Sequence, residues 1–333
     1  TAGAHLAPRR VIELVQECGH LSLDGAIRAE TGRFIQLATQ PQSRAMIRSL
    51  WFHKRALENA SASSAQTSGD EIEKVTLLGA GMMGAELAYL CAKAGKTVVL
   101  KDISQPSLDR GVVAIEGILA KDKKLDAEAR AHLLSRITPS LDLEDVRGTD
   151  LVIEAVFEDL NLKHRVIKEI EPLLSDRGIF ASNTSALPIT DLAEASQHPE
   201  RMIGLHFFSP ASVMPLVEII EPEATSQETR ARAWHFCRAI KKTPIVVNDG
   251  YGFYTTRVFA SYILEGAECV AKGYAPALIE WAARSAGMAV GPLKVFDEVT
   301  LTLGMHAMEM RALYELPVTH QSGLDLLKSL VAI

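Results

Sequence analysis

Cysteine is scarce and scattered. Cys18, Cys91, Cys237 and Cys269 include no C-x-x-C pair. That excludes the usual spacing signals of a zinc site or a disulfide framework, and it predicts free, buried thiols in a reducing compartment. Long apolar runs are missing as well. No stretch of 18 apolar residues occurs, so no membrane span is expected. The first residues show no basic segment followed by an apolar one, so no secretory signal is expected and the expected location is cytoplasmic. Positive charge is not in excess: 35 Lys and Arg stand against 41 Asp and Glu, a net charge of −6. A nucleic-acid partner, which needs a basic footprint, is therefore not expected, although a local basic patch can still meet phosphates on a substrate. Low hydrophobicity combined with high charge is absent too, which excludes long disorder. With 47% hydrophobic and 23% charged residues, the 333-residue chain has apolar material for about two domains.

Residues 8–59 read as helices. Ser22 suits an N-cap ahead of Ala26, Phe34, Leu37 and Ala38, which share a face. Pro41 suits a first turn, and Met46, Leu50, Trp51 and Leu57 form an apolar stripe with Arg44, Arg48, Lys54 and Arg55 elsewhere. This 1–59 block is too short to bury much by itself and needs something to pack on. The small, polar run ASASSAQTSGD then opens a linker over 60–72.

From Lys74 the pattern changes. KVTLLGAG, a helical stretch and TVVLKD make a strand–turn–helix–strand unit. A helix is expected over about 106–136, followed by strands DLVIEAV (150–156), GIFASN (178–183), RMIGLHFF (201–208), MPLVEII (214–220) and TPIVV (243–247). Helices are expected between them at LKHRVIKEIEPLL and near 225–240. After Asn248 the strand signal disappears, and helices broken at Gly273 and at Gly291–Pro292 are expected to the end. The predicted fold class is α/β: a Rossmann-like, mostly parallel sheet over 73–248, then a smaller all-α domain over 249–333.

Gly79-Ala80-Gly81-Met82-Met83-Gly84 matches G-x-G-x-x-G. The first glycine permits a tight turn, the second lets a pyrophosphate approach the backbone, and the third lets helix and strand pack closely. The helix N-terminus adds N–H donors. Asp102 ends the next strand eighteen residues beyond Gly84, where an acid can bind the adenosine ribose hydroxyls. A carboxylate there repels a 2′-phosphate, so the pattern favours NAD over NADP. The alternative is a glycine-rich turn without nucleotide.

His206 ends one short strand and Glu218 lies in the next, so a hairpin-like return can bring them together. A carboxylate on one imidazole nitrogen would fix the tautomer and stabilise the imidazolium formed when the other accepts a proton. Ser185 follows the strand 178–183, at the end where ligand crevices form. Read from spacing alone, His206 between apolar residues is more often a satisfied core histidine.

The strings LLGAGMMGAELA, DLVIEAVFEDLNLK, FASNTSALPIT, GLHFFSPASVMPLVEII and GFYTTRVF together resemble the 3-hydroxyacyl-CoA dehydrogenase family, over residues 74 to about 297. RAETGRFIQLA and IRSLWFHKRALEN are similar to the end of an enoyl-CoA hydratase domain and its linker helix in multifunctional fatty-acid oxidation enzymes. The chain, which starts at Thr1, is thus expected to be an interior piece of such a protein without a hydratase catalytic core. The resemblance implies that His206 is the general base, Glu218 its carboxylate partner, and Ser185 a contact of both the substrate oxygen and the nicotinamide region. It implies cofactor contacts at Gly79, Gly81, Met83, Gly84, Asp102, Glu158 and Lys163. The last two, without the family, read as an ordinary solvated helix start. Ser209 replaces the family's usual Asn in HFFNP, so its nicotinamide contact is an open point. Thr256 replaces the Asn of G-F-x-x-N-R, and its shorter hydroxyl is expected to keep an altered contact to the substrate oxygen.

Lys121, Lys123 and Lys124 are expected on a helix after the second strand. A solvated face is the default for such a run, and the family places the CoA nucleotide nearby, with Lys124 as the assigned substrate contact. Phe253, Phe259, Tyr262, Met305 and Met308 read as packing. The expected activity is NAD-dependent oxidation of L-3-hydroxyacyl-CoA to 3-ketoacyl-CoA in β-oxidation. The expected partners are the acyl-CoA substrate and either further copies, as a homo-oligomer, or the remainder of a multifunctional chain. Two alternatives stay open: a β-hydroxyacid dehydrogenase for a free acid, with Arg257 as anchor, and a non-catalytic NAD-binding piece of a larger complex.

Overall fold

The computed structural model describes residues 6–59, 71–123, 125–299 and 320–331. The chain divides into two compact units, Ala60–Thr256 and a second made of Thr1–Asn59 with Arg257–Ile333. The first is built on an eight-stranded sheet: β1 (Lys74–Leu78), β2 (Thr97–Lys101), β3 (Ile137–Ser140), β4 (Thr149–Glu154), β5 (Leu174–Ser182), β6 (Met202–Phe207), β7 (Leu216–Glu221) and β8 (Thr243–Asn248). The spatial order is β3-β2-β1-β4-β5-β6-β7-β8, and every neighbouring pair is parallel except β6–β7.

The strands are apolar on both faces because helices cover both. Alternation divides the side chains. Leu151, Ile153, Ile179 and Ala181 join one core cluster, while Val152 and Phe180 point the other way into a second. The first cluster includes residues of α5 (Met82–Lys93), α6 (Gln105–Lys121), α7 (Ala127–Leu134) and α10 (Gln227–Ala239). The second includes residues of α8 (Leu160–Ile170) and α9 (Ile189–Ala193). Each fully buried Leu, Ile or Phe contributes roughly 1.5–3 kcal/mol.

The stretch 106–136 is not one helix. α6 stops at Lys121, where Asp122 leaves helical geometry and its carboxylate takes hydrogen bonds from Tyr89 and Lys93. Asp126 then caps α7 through the Ala129 N–H. The short strand β3, unforeseen in the sequence, follows and pairs with β2 at the sheet edge. Lys121 therefore ends α6, Lys123 lies in the turn beyond it rather than on a helix, and Lys124 lies outside the described residues.

The second unit is helical throughout its described residues. α1 (Leu6–Cys18), α2 (Leu23–Ala38), α3 (Pro41–Ile47) and α4 (Lys54–Asn59) precede the sheet, with a π-helical turn at Arg48–His53 between α3 and α4. Ser22 caps α2 by accepting from the Gly25 N–H, and Pro41 opens α3. α1 to α3 contain no buried residue. α11 (Thr255–Ala271) begins at the end of the sheet unit, and α12 (Pro276–Ser285), α13 (Pro292–Val299) and α14 (Gln321–Val331) follow. Ile263, Leu264, Ala267, Phe296 and Leu327 form a small core there, with Phe259 packed on it. Phe253 belongs instead to the sheet unit's core, and Met305 and Met308 lie outside the described residues. All four cysteines are free; Cys91 and Cys237 are buried, whereas Cys18 and Cys269 are only half-buried. Among the described residues no helix is long and apolar enough to cross a membrane.

Candidate active site

β1 lies between β2 and β4, so the connections that leave the carboxyl ends of β1 and β4 run in opposite directions, to β2 and β5, and open a crevice there. The glycine turn fills that position. Gly79 has φ +101°, and a Cβ on it would sit 2.7 Å from the Ala155 carbonyl oxygen. A Cβ on Gly84 would fall 1.8 Å from the Gly79 oxygen. A Cβ on Gly81 would meet nothing within 4 Å, so the backbone there faces open space. Gly81 is also the N-cap of α5 and supplies no side-chain acceptor, which leaves the first-turn N–H groups to an anion. Asp102, just after β2, accepts from the Ala80 N–H at 2.8 Å and from those of Ile103 and Ser104 at 2.7 and 3.3 Å. A carboxylate has about four lone-pair sites, so capacity remains for a ribose hydroxyl. Met83 packs on the core and offers the turn its backbone; the neighbouring Met82 side chain is exposed, with its sulfur 3.9 Å from the Ser209 hydroxyl. These residues fit a dinucleotide.

His206 and Glu218 are register partners in the antiparallel pair β6–β7. Directly opposite residues share a face, and this brings the two side chains together. His206 Nδ1 lies 2.7 Å from Glu218 Oε2. Glu218 is wholly buried and His206 is 4% exposed, with the Phe208 and Phe253 rings tilted against the imidazole. Burial pushes the Glu218 carboxyl up. The His206 ring and the hydroxyl and N–H of Thr255 outweigh that and hold it below the ordinary carboxylate value. An ionised Glu218 requires the proton on Nδ1, which leaves Nε2 as an acceptor. Among the described residues no hydrogen bond engages Nε2.

Ser185 stands on the loop after β5. Asn183 ties that loop to β6 by accepting the Phe207 N–H at 2.9 Å. Glu158 accepts from the Ser185 N–H at 3.2 Å and from the Thr184 hydroxyl. The Ser185 residue is exposed, and its hydroxyl has no partner among the described residues. Lys163 departs from its expected place. It is 1% exposed, and its ammonium meets Glu154 Oε1 and Oε2 at 2.8 and 2.9 Å and Glu158 Oε2 at 3.1 Å. An ammonium has three donors, so none is left over for a cofactor. Lys163 instead holds Glu158, which in turn holds the Ser185 loop. Burial pushes Lys163 down, but the two carboxylates keep it above the ordinary lysine value; burial pushes Glu158 up, but Lys163, Thr184 and Ser185 keep it below the ordinary carboxylate value.

Thr256 also departs from expectation. Its hydroxyl donates to the Ser185 carbonyl at 2.9 Å, so its single hydrogen is directed at the protein rather than at a substrate oxygen. Ser209 is exposed in the turn after β6. Sequence reasoning passed over Glu154, Asn183, Thr184 and Thr255. The signal for Glu154 was an acid at the end of an otherwise apolar strand; for Asn183 and Thr184 it was polar residues where a buried strand stops. Thr255 carried no such signal.

The family model for "3-hydroxyacyl-CoA dehydrogenase, NAD binding domain" matches residues 74–250, and that for "3-hydroxyacyl-CoA dehydrogenase, C-terminal domain" matches 252–332. The chain is 36% identical over 308 residues to the fatty acid oxidation complex subunit alpha of Shewanella sp. (strain W3-18-1), and 37% identical over 308 residues to that of Shewanella baltica (strain OS155). Each match covers 91% of this chain and 43% of the relative, so the chain spans less than half the length of these relatives. A match of that length runs well into the helices ahead of Lys74. Among solved structures, the (S)-3-hydroxybutyryl-CoA dehydrogenase of Ralstonia eutropha is similar with a TM-score of 0.73 and 33% identity, over 79% of this chain and 94% of that one. The 3-hydroxybutyryl-CoA dehydrogenase of Escherichia coli K12 is similar with a TM-score of 0.68 and 32% identity, over 71% of this chain and 51% of that one. The glycine turn lies within the NAD-binding match, so NAD is the dinucleotide this cradle takes.

Proposed function

The chain belongs to the 3-hydroxyacyl-CoA dehydrogenase family, and we propose that it catalyses the NAD-dependent oxidation of L-3-hydroxyacyl-CoA to 3-ketoacyl-CoA, the dehydrogenase step of cytoplasmic fatty-acid β-oxidation. The observation that carries this reading is the 2.7 Å contact between His206 Nδ1 and buried Glu218 Oε2, which leaves Nε2 as the proton acceptor. Bound through Gly79, Gly81, Gly84 and Asp102, NAD+ supplies the hydride acceptor. His206 Nε2 takes the proton of the substrate's 3-hydroxyl. Glu218 fixes the tautomer and offsets the charge that develops on the ring. The Ser185 hydroxyl donates to the reacting oxygen, on a loop held by Glu158 and by Thr256. The whole protein is, in this reading, a multifunctional chain of fatty-acid oxidation in which residues 1–59 are the end of a hydratase domain and its linker helix.

A spectrophotometric assay with acetoacetyl-CoA and NADH tests the reading. Turnover with the thioester is expected. Turnover with acetoacetate alone would shift the assignment to a free-acid dehydrogenase, and NADH binding without turnover on either would reduce the chain to a binding scaffold.

A further inference from the structure

The Glu218 carboxylate has more than one partner. Its Oε2 accepts from two donors, His206 Nδ1 at 2.7 Å and the Thr255 hydroxyl at 2.6 Å, while its Oε1 accepts the Thr255 N–H at 2.9 Å. Glu218 is 0% exposed, so no bulk water replaces a lost donor. The family string leaves the position of Thr255 open, and nothing in the catalytic reading above uses its hydroxyl. We propose that Thr255 is a positioning residue that sets how tightly Glu218 holds the His206 imidazolium, and with it the pH at which the base becomes active. The proposal rests on the dehydrogenase reading for its kinetic form but on geometry alone for its physical form.

Two donors on one carboxylate oxygen divide its negative charge. Each N–H or O–H that stabilises the carboxylate weakens its pull on the other. The Thr255 hydroxyl therefore competes with the imidazolium and favours the neutral ring, which is the form that accepts a proton. The main-chain bond to Oε1 survives any side-chain substitution at this position, so the hydroxyl can be tested without freeing the carboxylate.

The surroundings leave the competition undisturbed. From β6 comes His206 itself, and from β8 the register partner of Glu218 is Ile245, which is uncharged. Phe208 and Phe253 face the imidazole. The charges at the end of β4 and around the start of α8, Glu154, Glu158 and Lys163, are paired with one another.

The test is the pH dependence of kcat/KM for oxidation of L-3-hydroxybutyryl-CoA by NAD+, in wild type, Thr255→Val, Thr255→Ala and Thr255→Ser. Without the hydroxyl, Oε2 serves the histidine alone. The acid limb of the profile is expected to move up by roughly half to one pH unit in Thr255→Val and Thr255→Ala. Thr255→Ser restores the hydroxyl and is expected to return the limb towards the wild-type position. KM for the substrate is expected to change less than about two-fold, because both the hydroxyl and the N–H of Thr255 are engaged by Glu218. The His206 ring-proton signal, assigned by its loss in His206→Asn, is titrated in the same variants and should move the same way without any turnover. A limb and a ring titration that stay in place in Thr255→Val and Thr255→Ala, or that move equally in Thr255→Ser, overturn the proposal. If the wild type fails to oxidise the thioester, the substrate reading falls, while the ring titration still decides this one.

Discussion

The most deeply buried charges belong to the sheet unit, whereas the helical unit carries a run of three consecutive exposed apolar side chains, Leu50, Trp51 and Phe52. In the sheet unit, charged groups are buried and answered: Glu154, Lys163 and Glu218 are each at most 1% exposed, and each lies within hydrogen-bond distance of a partner. The helical unit buries Glu268, which accepts the Gly323 N–H, but leaves many apolar groups uncovered: Leu23, Phe34, Leu50, Trp51, Phe52 and Trp281 are all at least half exposed. A buried charge left unpaired costs several kcal/mol, so the sheet unit had to close its networks from its own residues. That closure extends to Thr256, the last residue of the unit, and it includes every residue assigned to proton transfer.

The largest effect expected from breaking this contrast is at the base. His206→Ala removes the proton acceptor but no residue of the glycine turn. Turnover of acetoacetyl-CoA is expected to fall by ~10²–10⁴-fold, the usual range for general acid–base groups. NADH affinity, read by fluorescence titration, is expected to stay within about two-fold because the ring is not placed among the dinucleotide ligands. Unchanged turnover would remove His206 from the mechanism.

Next in size is the buried ion cluster. Lys163→Met keeps most of the side-chain volume and strands Glu154 and Glu158 without their cation. Losing one partner of a buried pair typically costs ~3–5 kcal/mol. Urea unfolding followed by Trp234, the buried indole of the sheet unit, is expected to show a loss of that order. The same change would loosen the Ser185 loop through Glu158, so kcat is expected to fall as well. A variant with wild-type stability would mean that the cluster is not held as the 2.8 and 2.9 Å contacts indicate.

A gentler way to break the same network is pH. Glu158 and Glu218 are held below the ordinary carboxylate value. Their contribution is full above about pH 4.3 and is lost as pH falls through their native values. Lys163 is held above its ordinary value, so its contribution is full below about pH 10.4 and is lost as pH rises through its native value. The sheet unit should therefore show a plateau between these limits. Its melting midpoint, read from Trp234 in a variant with Trp51 and Trp281 replaced by Phe, is expected to fall on the acid side by about 2–4 °C per kcal/mol lost. A midpoint that is flat down to pH 3 would contradict both carboxylate assignments.

How much of this was legible beforehand follows from how local each signal is. The β1–turn–α5–β2 unit was readable because its glycines, apolar runs and Asp102 lie within thirty residues, and each is required by backbone geometry. His206 and Glu218 were readable as candidates, yet the contact depends on the β6–β7 register, which sequence does not state. β3 was missed because ITPS is four residues long and contains Pro139, tolerable only because the strand lies at the sheet edge. The break at Asp122 was missed because its partners, Tyr89 and Lys93, lie about thirty residues back in another helix. Lys163 looked like a solvated helix-start lysine because neither carboxylate around it could be placed from spacing. The directions of the Thr255 and Thr256 hydroxyls were beyond reach for the same reason: rotamer choices respond to neighbours that are distant in sequence.

The smallest effect on stability is expected where the helical unit leaves apolar surface open. Leu50, Trp51 and Phe52 are consecutive in the π-helical turn, and all are at least 60% exposed. Side chains that bury nothing contribute little to folding, so Leu50→Gln with Trp51→Gln is expected to shift stability by no more than about 0.5 kcal/mol per site. Association is another matter, because contiguous exposed apolar groups drive contact between molecules. The chain is expected to self-associate in light scattering at micromolar concentration, and the double substitution is expected to lower its apparent mass while leaving acetoacetyl-CoA turnover unchanged. A wild-type chain that scatters as a monodisperse monomer would show that these faces do not associate, and would leave the contrast between the units resting on the buried charges alone.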